Sequence, residues 1–253
     1  MKIAFFITCL TDLYYPRSGI AAVKVLKHLG HTVEFPVQQT CCGQPMFNNG
    51  FHDDARDLAK RMIAVFELFD TVVTPSGSCA AMIREHYPAL FTDDPAMLTR
   101  ASAFAAKTYE FSEFLAKVLK VDLAAAGVRW EGSVTYHVAC HLRGVGLAGV
   151  AESLLQSIPG IHFTPLPKSE QCCGFGGTFA VKYPQISKGM VEEKLACIEA
   201  TKCPTAVCNE AGCCMNISGA HHRAHGNSGV RLTSLPEIIA EGLGLLERQE
   251  HAR

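Results

Sequence analysis

The chain has 253 residues and a formal net charge of −1, with 48% hydrophobic and 19% charged residues. This length supports a sizeable core, and without a basic excess neither nucleic acid nor an anionic membrane surface is expected as partner. The apolar N-terminal run is too short for a membrane span and lacks a small-residue cleavage site, which predicts a cytoplasmic protein. Twelve cysteines in such a chain favour metal or redox chemistry over a disulfide framework.

In the first half, short apolar strands alternate with helical patterns. We predict strands over residues 2–9, 32–35 and 71–74. We predict helices over residues 20–29 and from about 58 to 69. Gly30 ends the first helix, the sequence Cys41-Cys42-Gly43 precedes the second, and the loop after the last strand leads to Cys79.

The second half repeats this order. Strands are predicted over residues 133–139, 161–164 and 205–207, and a helix over about 185–200. Strands that alternate with helices predict an α/β fold with two duplicated Rossmann-like βαβ units, each with a parallel sheet, related by a pseudo-twofold axis. In such sheets the carboxyl ends of the strands form the functional site.

The cysteine spacing shows the duplication directly. Cys9, Cys41 and Cys42 recur 131 residues later as Cys140, Cys172 and Cys173, and Cys79 recurs 134 residues later as Cys213. A glycine follows each adjacent pair, as Gly43 and Gly174. The chain is therefore predicted to contain two domains, residues 1–130 and 131–253, a size that suits one compact domain each.

The residue types indicate which group these loops bind. Thiolate sulfur is a soft ligand that selects iron–sulfur clusters, zinc or copper(I), and four cysteines satisfy either a cluster or a structural zinc ion. Neighbouring side chains in extended backbone point to opposite sides, which favours a cluster of several irons over one small ion. Glycine after the pair permits positive φ and lets its N–H donate to sulfur.

The motifs Cys9…Cys41-Cys42-Gly43…Cys79 and Cys140…Cys172-Cys173-Gly174…Cys213 resemble the tandem cysteine-rich CCG domain. This domain is shared by the cysteine-rich subunit of heterodisulfide reductase and the iron–sulfur subunit of glycolate oxidase. Two such motifs, the segment from Thr74 to Met82 and the lack of a ferredoxin-type Cys-x-x-Cys-x-x-Cys sequence make the chain most similar to the lactate-utilization branch of that family.

The resemblance implies an iron–sulfur electron-transfer subunit of a complex that oxidises L-lactate or a related 2-hydroxy acid. It implies up to one cluster per half, of the 4Fe-4S type, with eight ligands: Cys9, Cys41, Cys42, Cys79, Cys140, Cys172, Cys173 and Cys213. Such a subunit is expected to be inactive alone and to work with a ferredoxin-like iron–sulfur subunit and a third subunit. Alternatives are a zinc-stabilised scaffold, with zinc in either half, and a heterodisulfide-reductase-like thiol/disulfide redox subunit.

The chain departs from the fuller family motif, which ends in Cys-x-x-Cys. Met82 and Asn216 stand where the fifth cysteine of each half is expected. Disulfide chemistry carried out directly on a cluster is therefore less expected. In the second half, Cys208 or Cys214 could supply the fifth ligand.

Other candidate residues receive structural interpretations. Cys197 and Cys203 are interpreted as structural, and residues 221–226, rich in histidine, as a solvated loop. His141 beside Cys140 could tune or ligate a cluster, and Arg143 could bind a carboxylate or lie on the surface. The apolar stretch at residues 235–246 could pack internally or contact a partner.

Overall fold

The computed structural model describes residues 1–226 and 228–249, so residues 250–253 of the predicted second domain lie outside it. The first sheet contains β1 (Lys2–Phe5), β2 (Thr32–Glu34), β3 (Val72–Thr74) and β4 (Thr108–Glu110). The second contains β5 (Gly132–Tyr136), β6 (Ile161–Phe163), β7 (Thr205–Val207) and β8 (Arg231–Thr233). All strand pairs are parallel, which confirms the predicted α/β class with two similar units.

Helices surround both sheets. The first half has α1 (Cys9–Tyr14), α2 (Pro16–His28), α3 (Gln44–Asn48), α4 (His52–Phe66), α5 (Gly77–Ala81), α6 (Tyr87–Leu90), α7 (Pro95–Ala106) and α8 (Phe111–Glu113). The second half has α9 (Cys140–Gly144), α10 (Val150–Ser157), α11 (Thr178–Lys182), α12 (Pro184–Ala200), α13 (Ala211–His225) and α14 (Leu235–Gly242). π-helical turns continue α5 and α8, at Met82–His86 and Phe114–Val118.

The strand order decides where a site can form. The order is β2-β1-β3-β4 in one sheet and β6-β5-β7-β8 in the other, so the chain changes direction across the sheet after the second strand of each. At such a switch point the loops after two adjacent strands diverge and leave a crevice at the carboxyl edge. In this chain the crevices lie between β1 and β3 and between β5 and β7.

Three features differ from the sequence prediction. The last strand of each sheet was not predicted, because β4 and β8 are only three residues long and contain polar side chains. The first strand of each half ends early, at Phe5 rather than residue 9 and at Tyr136 rather than residue 139. The solvated loop predicted at residues 221–226 is wrong: α13 runs through His225, and Gly226 ends it with φ +64°. His221 is buried, and its ring nitrogen accepts a hydrogen bond from the Val230 N–H at 3.1 Å.

The two halves share one hydrophobic core. Side chains from both sheets belong to a single buried cluster, including Phe5, Val73, Tyr136 and Val207. Helix α14 packs on α2 across the halves, and its Ile238 and Ile239 are fully buried in the same cluster. The apolar residues at 235–240 therefore pack internally, which buries apolar area from both halves and holds the two sheets together.

Glu110 is a buried acid where the halves meet. It caps α8, its carboxylate accepting hydrogen bonds from the backbone N–H of Ser112 at 2.7 Å and of Glu113 at 3.1 Å. Its other oxygen lies 3.5 Å from the side-chain nitrogen of Asn209 in the second half. Burial raises the pKa of Glu110 from 4.5 to about 7, although the hydrogen bonds from Ser112 and Glu113 oppose this rise.

We expect Glu110 to make stability depend on pH. Since the pKa of Glu110 is higher in the folded state than in the unfolded state, the native state binds more protons. The contribution of this protonation to the free energy of unfolding is complete below pH 4.5 and lost by about pH 7. Its full size is on the order of 3 kcal/mol. Denaturant unfolding of wild type and Glu110→Gln at several pH values measures it: the stability of wild type relative to the variant should rise as pH falls. A difference independent of pH would contradict the assignment.

Candidate metal centre

The loops after the first three strands of each half carry the repeated cysteines. Cys9 follows β1, the pair Cys41-Cys42 follows β2, and Cys79 lies in α5 after β3. These loops leave the same edge of a parallel sheet, so residues far apart in sequence meet beside the switch point. The second half repeats the arrangement with Cys140 after β5, Cys172-Cys173 after β6 and Cys213 in the first turn of α13.

The structure brings the four predicted sulfurs of the first half together. Cys9 Sγ lies 3.7 Å from Cys41 Sγ, and Cys42 Sγ lies 3.2 Å from Cys79 Sγ. Gly43 has φ +85°, and its N–H donates to Cys41 Sγ at 3.4 Å. The expected use of this glycine, positive φ and donation to sulfur, is confirmed.

The second half has the same geometry. Cys173 Sγ lies 3.0 Å from Cys213 Sγ, and the N–H of Gly174, at φ +79°, donates to Cys172 Sγ at 3.3 Å. Cys140 Sγ lies 3.6 Å from Nδ1 of His141. In both halves the first cysteine is exposed and the third and fourth are buried. Each group of four sulfurs therefore has one side exposed to solvent and one side buried in the protein.

The adjacent cysteines behave differently from the sequence expectation. Both side chains of each pair line the same cavity, Cys41 and Cys42 in one half and Cys172 and Cys173 in the other, instead of pointing to opposite sides. The reason is that the segment is a loop rather than an extended strand. Hydrogen bonds from Cys42 and Cys9 lower the pKa of Cys41 to about 3, and those from Cys140 and Cys173 lower the pKa of Cys172 to about 2. The thiolate, which is the form that binds metals, is thus favoured at the second cysteine of each half.

Both sulfur groups line one cavity of about 270 Å³ between the halves. His141 and Gln44 lie between the two groups: Nε2 of His141 is 3.3 Å from Nε2 of Gln44, whose nitrogen also donates to the Ser78 carbonyl at 3.1 Å. A short chain of contacts therefore leads from Cys140 through His141 and Gln44 to the loop that carries Cys79.

The donor set fits a thiolate-bound metal group. Each half offers four sulfurs, the usual count for an iron–sulfur cluster or a structural zinc ion. The N–H donors to Cys41 and Cys172 would stabilise the negative charge of such a group. The cavity beside the sulfurs leaves room for a group larger than one ion. The Cys9–Cys41 separation of 3.7 Å is also close to the edge of a zinc tetrahedron, about 3.8 Å for Zn–S bonds of about 2.3 Å.

Glu210 joins the two cysteine loops. Buried at the start of α13, its carboxylate accepts hydrogen bonds from the Ser78 N–H at 2.8 Å, the Ser78 hydroxyl at 2.9 Å and the Ser76 hydroxyl at 3.1 Å. Burial raises its pKa to about 7. Because Ser76 and Ser78 precede Cys79 and Glu210 precedes Cys213, this contact sets the position of one cysteine loop relative to the other.

The remaining cysteines divide into two groups. Cys208 and Cys214 are buried next to Cys213, and the Cys214 thiol donates to the Cys208 carbonyl at 3.4 Å. Neither lines the cavity that the repeated cysteines share; both line a second cavity. Cys197 packs in the core of the second half, and Cys203 is buried at the end of α12. Neither of these two lines a described cavity at the site, in keeping with their structural interpretation.

The residues at the expected fifth-cysteine positions are structural. Met82 is fully buried in the first-half core. Asn216 donates from its side-chain nitrogen to the Cys173 carbonyl at 2.8 Å, which holds the Cys172-Cys173 loop. The guanidinium of Arg143 donates to the Ser169 carbonyl at 3.2 Å and does not line the cavity.

Sequence reasoning missed two residues near the site, Glu210 and His137. Glu210 has no motif, because its partners Ser76 and Ser78 belong to the other half. His137 is buried at the end of β5, close to Cys208 and Cys213. A signal did exist for His137: the 131-residue repeat pairs it with Phe6, so a polar residue replaces an apolar one at a buried strand end.

The two glycines after the cysteine pairs provide a matched test. A Cβ at Gly174 would lie 2.8 Å from Met190 Cβ and from the Ser187 carbonyl oxygen, whereas a Cβ at Gly43 would have no contact closer than 3.5 Å. Alanine at either position adopts positive φ at a cost of about 1–2 kcal/mol. Gly174→Ala should destabilise more than Gly43→Ala, since helix α12 must also move, and should reduce metal binding in its half. Denaturant unfolding and metal content measure this, and equal losses for the two variants would contradict it.

Comparison with known proteins gives consistent similarities. The cysteine-rich domain family CCG matches residues 3–84 and 134–218. The chain is similar to lactate utilization protein A of Bacillus licheniformis, 44% identical over 94% of this chain and 99% of that protein. Similar matches are lactate utilization protein A of Bacillus velezensis, 45% identical over 94% and 99%, and of Geobacillus thermodenitrificans, 44% identical over 94% and 98%.

Other comparisons add little. An aspartate racemase homologue from Pyrococcus horikoshii OT3 aligns with 96% of this chain and 98% of its own, but at 12% identity and a TM-score of 0.34 the likeness carries no argument. Among residues 1–226 and 228–249, no helix combines the length and apolar character required to span a bilayer.

Proposed function

Because this chain belongs to the CCG cysteine-rich domain family, with relatives named lactate utilization protein A, we propose that it serves L-lactate utilization as an electron-transfer subunit. In this proposal each half holds one iron–sulfur cluster, of the 4Fe-4S type. The observation that carries the proposal is the duplicated group of four cysteines, with both groups on one cavity. The chain would work in the cytoplasm.

The proposed ligands are those of the repeat. In the first half they are Cys9, Cys41, Cys42 and Cys79, and in the second Cys140, Cys172, Cys173 and Cys213. A cluster bound by them would accept and release one electron at a time. The sulfurs of Cys42 and Cys173 are buried, so water is excluded from one side of each site. The N–H groups of Gly43 and Gly174 donate to sulfur. Solvent exclusion and N–H donation both influence the reduction potential of a cluster.

The arrangement suits transfer between two centres. Both sulfur groups face the same cavity, and the Gln44–His141 contact lies between them. The exposed Cys9 and Cys140 provide solvent-facing edges at which electrons can enter from, or leave to, a partner. Glu210 holds the two cysteine loops together, so the separation of the centres is kept constant.

We propose that the partners are a ferredoxin-like iron–sulfur subunit and a third subunit of a lactate-oxidising complex. Apolar side chains are exposed close to the cavity: Val181, Tyr183 and Ile186 are 80%, 55% and 57% exposed, on the segment after the cavity-lining Thr178. A partner that covers them would lie near the exposed cysteines. The chain alone is expected not to oxidise L-lactate, and oxidation by the isolated chain at the rate of the complex would contradict the subunit role.

Metal analysis tests the proposal first. Anaerobically purified protein should contain iron and acid-labile sulfide for one cluster per half, with an electron paramagnetic resonance signal that changes reversibly on reduction. The Cys9–Cys41 separation supports one alternative, a zinc-stabilised scaffold protein for the partner subunits. Zinc without iron or sulfide in protein prepared under the same conditions would reject electron transfer and favour that scaffold.

A further inference from the structure

A second group of metal-binding side chains lies beside the four cysteines of the second half. A ring nitrogen of His137 and the sulfurs of Cys208 and Cys213 all lie within 4.8 Å of one another. The three residues are 2%, 2% and 6% exposed, so they are shielded from solvent. One nitrogen and two sulfurs are donors that zinc, iron and copper accept.

His137 has no hydrogen-bond partner that explains its burial. Neither Nδ1 nor Nε2 has a partner among the described residues. A buried polar group without a partner costs free energy, and native structures satisfy nearly all such groups. Since the sulfurs of Cys208 and Cys213 lie within 4.8 Å of one ring nitrogen, a metal bound to all three side chains would satisfy that nitrogen.

The first half does not have this group, although the backbone there is equivalent. The N–H of His137 donates to the Val207 carbonyl at 2.9 Å, and the N–H of Phe6 donates to the Val73 carbonyl at the same distance. Phe6 therefore occupies the position of His137, and its ring packs against Phe66 with centroids 5.8 Å apart. The same register makes Thr74 the first-half equivalent of Cys208, so neither of the two extra donors is repeated.

Cys213 connects the extra donors to the other cysteines. Its sulfur lies 3.0 Å from that of Cys173, a member of the repeated set, and within 4.8 Å of that of Cys208. The His137–Cys208 pair is thus continuous with the second-half site rather than a separate one.

We propose that His137 and Cys208 are additional metal ligands of the second half, so that the two metal sites of this chain differ chemically: four thiolates in the first half, and a mixed sulfur and nitrogen set in the second. This inference rests on the proposed function to the extent that the second-half cysteines bind a metal group. It assigns the two halves different ligand chemistry, which the cysteine repeat alone does not indicate.

Nitrogen hyperfine spectroscopy tests the histidine directly. The variant Cys42→Ser, which leaves the second-half ligands intact, is labelled with ¹⁵N-histidine, reduced and measured by pulsed electron paramagnetic resonance. A coupling typical of a coordinated nitrogen should be present, should persist when His141→Ala is added, and should be lost completely when His137→Phe is added. Phenylalanine is chosen because the equivalent position in the first half already holds Phe6. The nitrogen coupling in Cys42→Ser is measured with His137 unchanged, so this result does not depend on whether the His137→Phe variant folds.

The cysteine is tested by metal content. In the same background, Cys208→Thr should lower the ratio of iron to chain, whereas Thr74→Ser in the first half should leave it unchanged. If the second half retains iron but shows no coordinated nitrogen, and Cys208→Thr binds as much iron as its parent, the inference is overturned.

Failure of the proposed function gives a different result. If wild-type protein binds zinc and no iron, the electron-transfer proposal fails, and Co²⁺ replaces zinc as the spectroscopic probe. Cobalt–thiolate absorption in the Cys42→Ser background should then fall on Cys208→Thr and change on His137→Phe. Unchanged spectra would overturn the inference in that case too. Failure of the chain to bind iron, zinc or cobalt would also overturn it.

Discussion

Replacing Cys42 or Cys173 by serine is expected to remove the metal group from one half of the chain and leave the other half loaded. Each residue is buried, and its sulfur is 3.2 or 3.0 Å from that of the fourth cysteine of its half. A serine oxygen of similar size is a much poorer ligand for iron or zinc than a thiolate. In each variant the metal content should fall by about half, because each half is proposed to bind one of two groups.

The matched control for these variants is Cys197→Ser. Cys197 is also buried, yet it packs in the second-half core away from the cavity. Metal and sulfide content, with circular dichroism to verify the fold, should match wild type. If the control lost as much metal as Cys42→Ser, the loss would reflect a disturbed core. If Cys42→Ser and Cys173→Ser kept their full metal content, the ligand assignment would be wrong.

Glu241→Ala should cause a large loss of stability although it lies outside the cysteine loops. The Glu241 side chain is 1% exposed and forms an ion pair with Arg231, whose side chain is 8% exposed. It also accepts hydrogen bonds from Arg17 at 3.2 Å and from the Trp130 indole N–H at 3.1 Å. Removal of the carboxylate takes away the ion-pair partner of the buried Arg231 charge, which costs about 3–5 kcal/mol.

A surface pair of the same chemistry provides the control. Glu67 accepts two hydrogen bonds from Arg100, both at 2.9 Å, but the two side chains are 48% and 40% exposed. Water solvates both charges when the pair is broken, so Glu67→Ala should cost much less stability than Glu241→Ala. Denaturant unfolding of the two variants at equal metal loading measures the difference. Similar losses for Glu67→Ala and Glu241→Ala would mean that burial does not determine the strength of the pair.

The Glu241→Ala variant also tests the docking of the two halves, because Glu241 pairs with Arg17. Arg17 belongs to the first half, on α2, and pairs with Glu237 and Glu241 on α14 of the second half. Ser18 on α2 hydrogen-bonds to Ser234 at 2.7 Å in the same contact. Loss of Glu241 should therefore weaken the packing of α14 on α2 in addition to leaving Arg231 unpaired.

The repeat in the sequence was sufficient for the fold class. Cysteines 131 residues apart, each after a β-rich run, predicted two parallel α/β units, and two sheets with the same strand order confirm this. The prediction was incomplete at β4 and β8, where three-residue strands with polar side chains leave almost no periodic signal. It was wrong at residues 221–226, where His221 is buried by contacts that a local pattern does not contain.

The residue types and their spacing were enough to predict thiolate-bound metal chemistry, because the ligand preference of a cysteine does not depend on the fold. Soft donors in two equal sets favour thiolate-bound metals. The sequence did not predict how the sets relate: the common cavity, the Glu210 contact with Ser76 and Ser78, and the burial of His137 beside Cys208 join residues from separate strands. These relations are visible only in the folded chain, since the strand order brings together loops that lie far apart along the sequence.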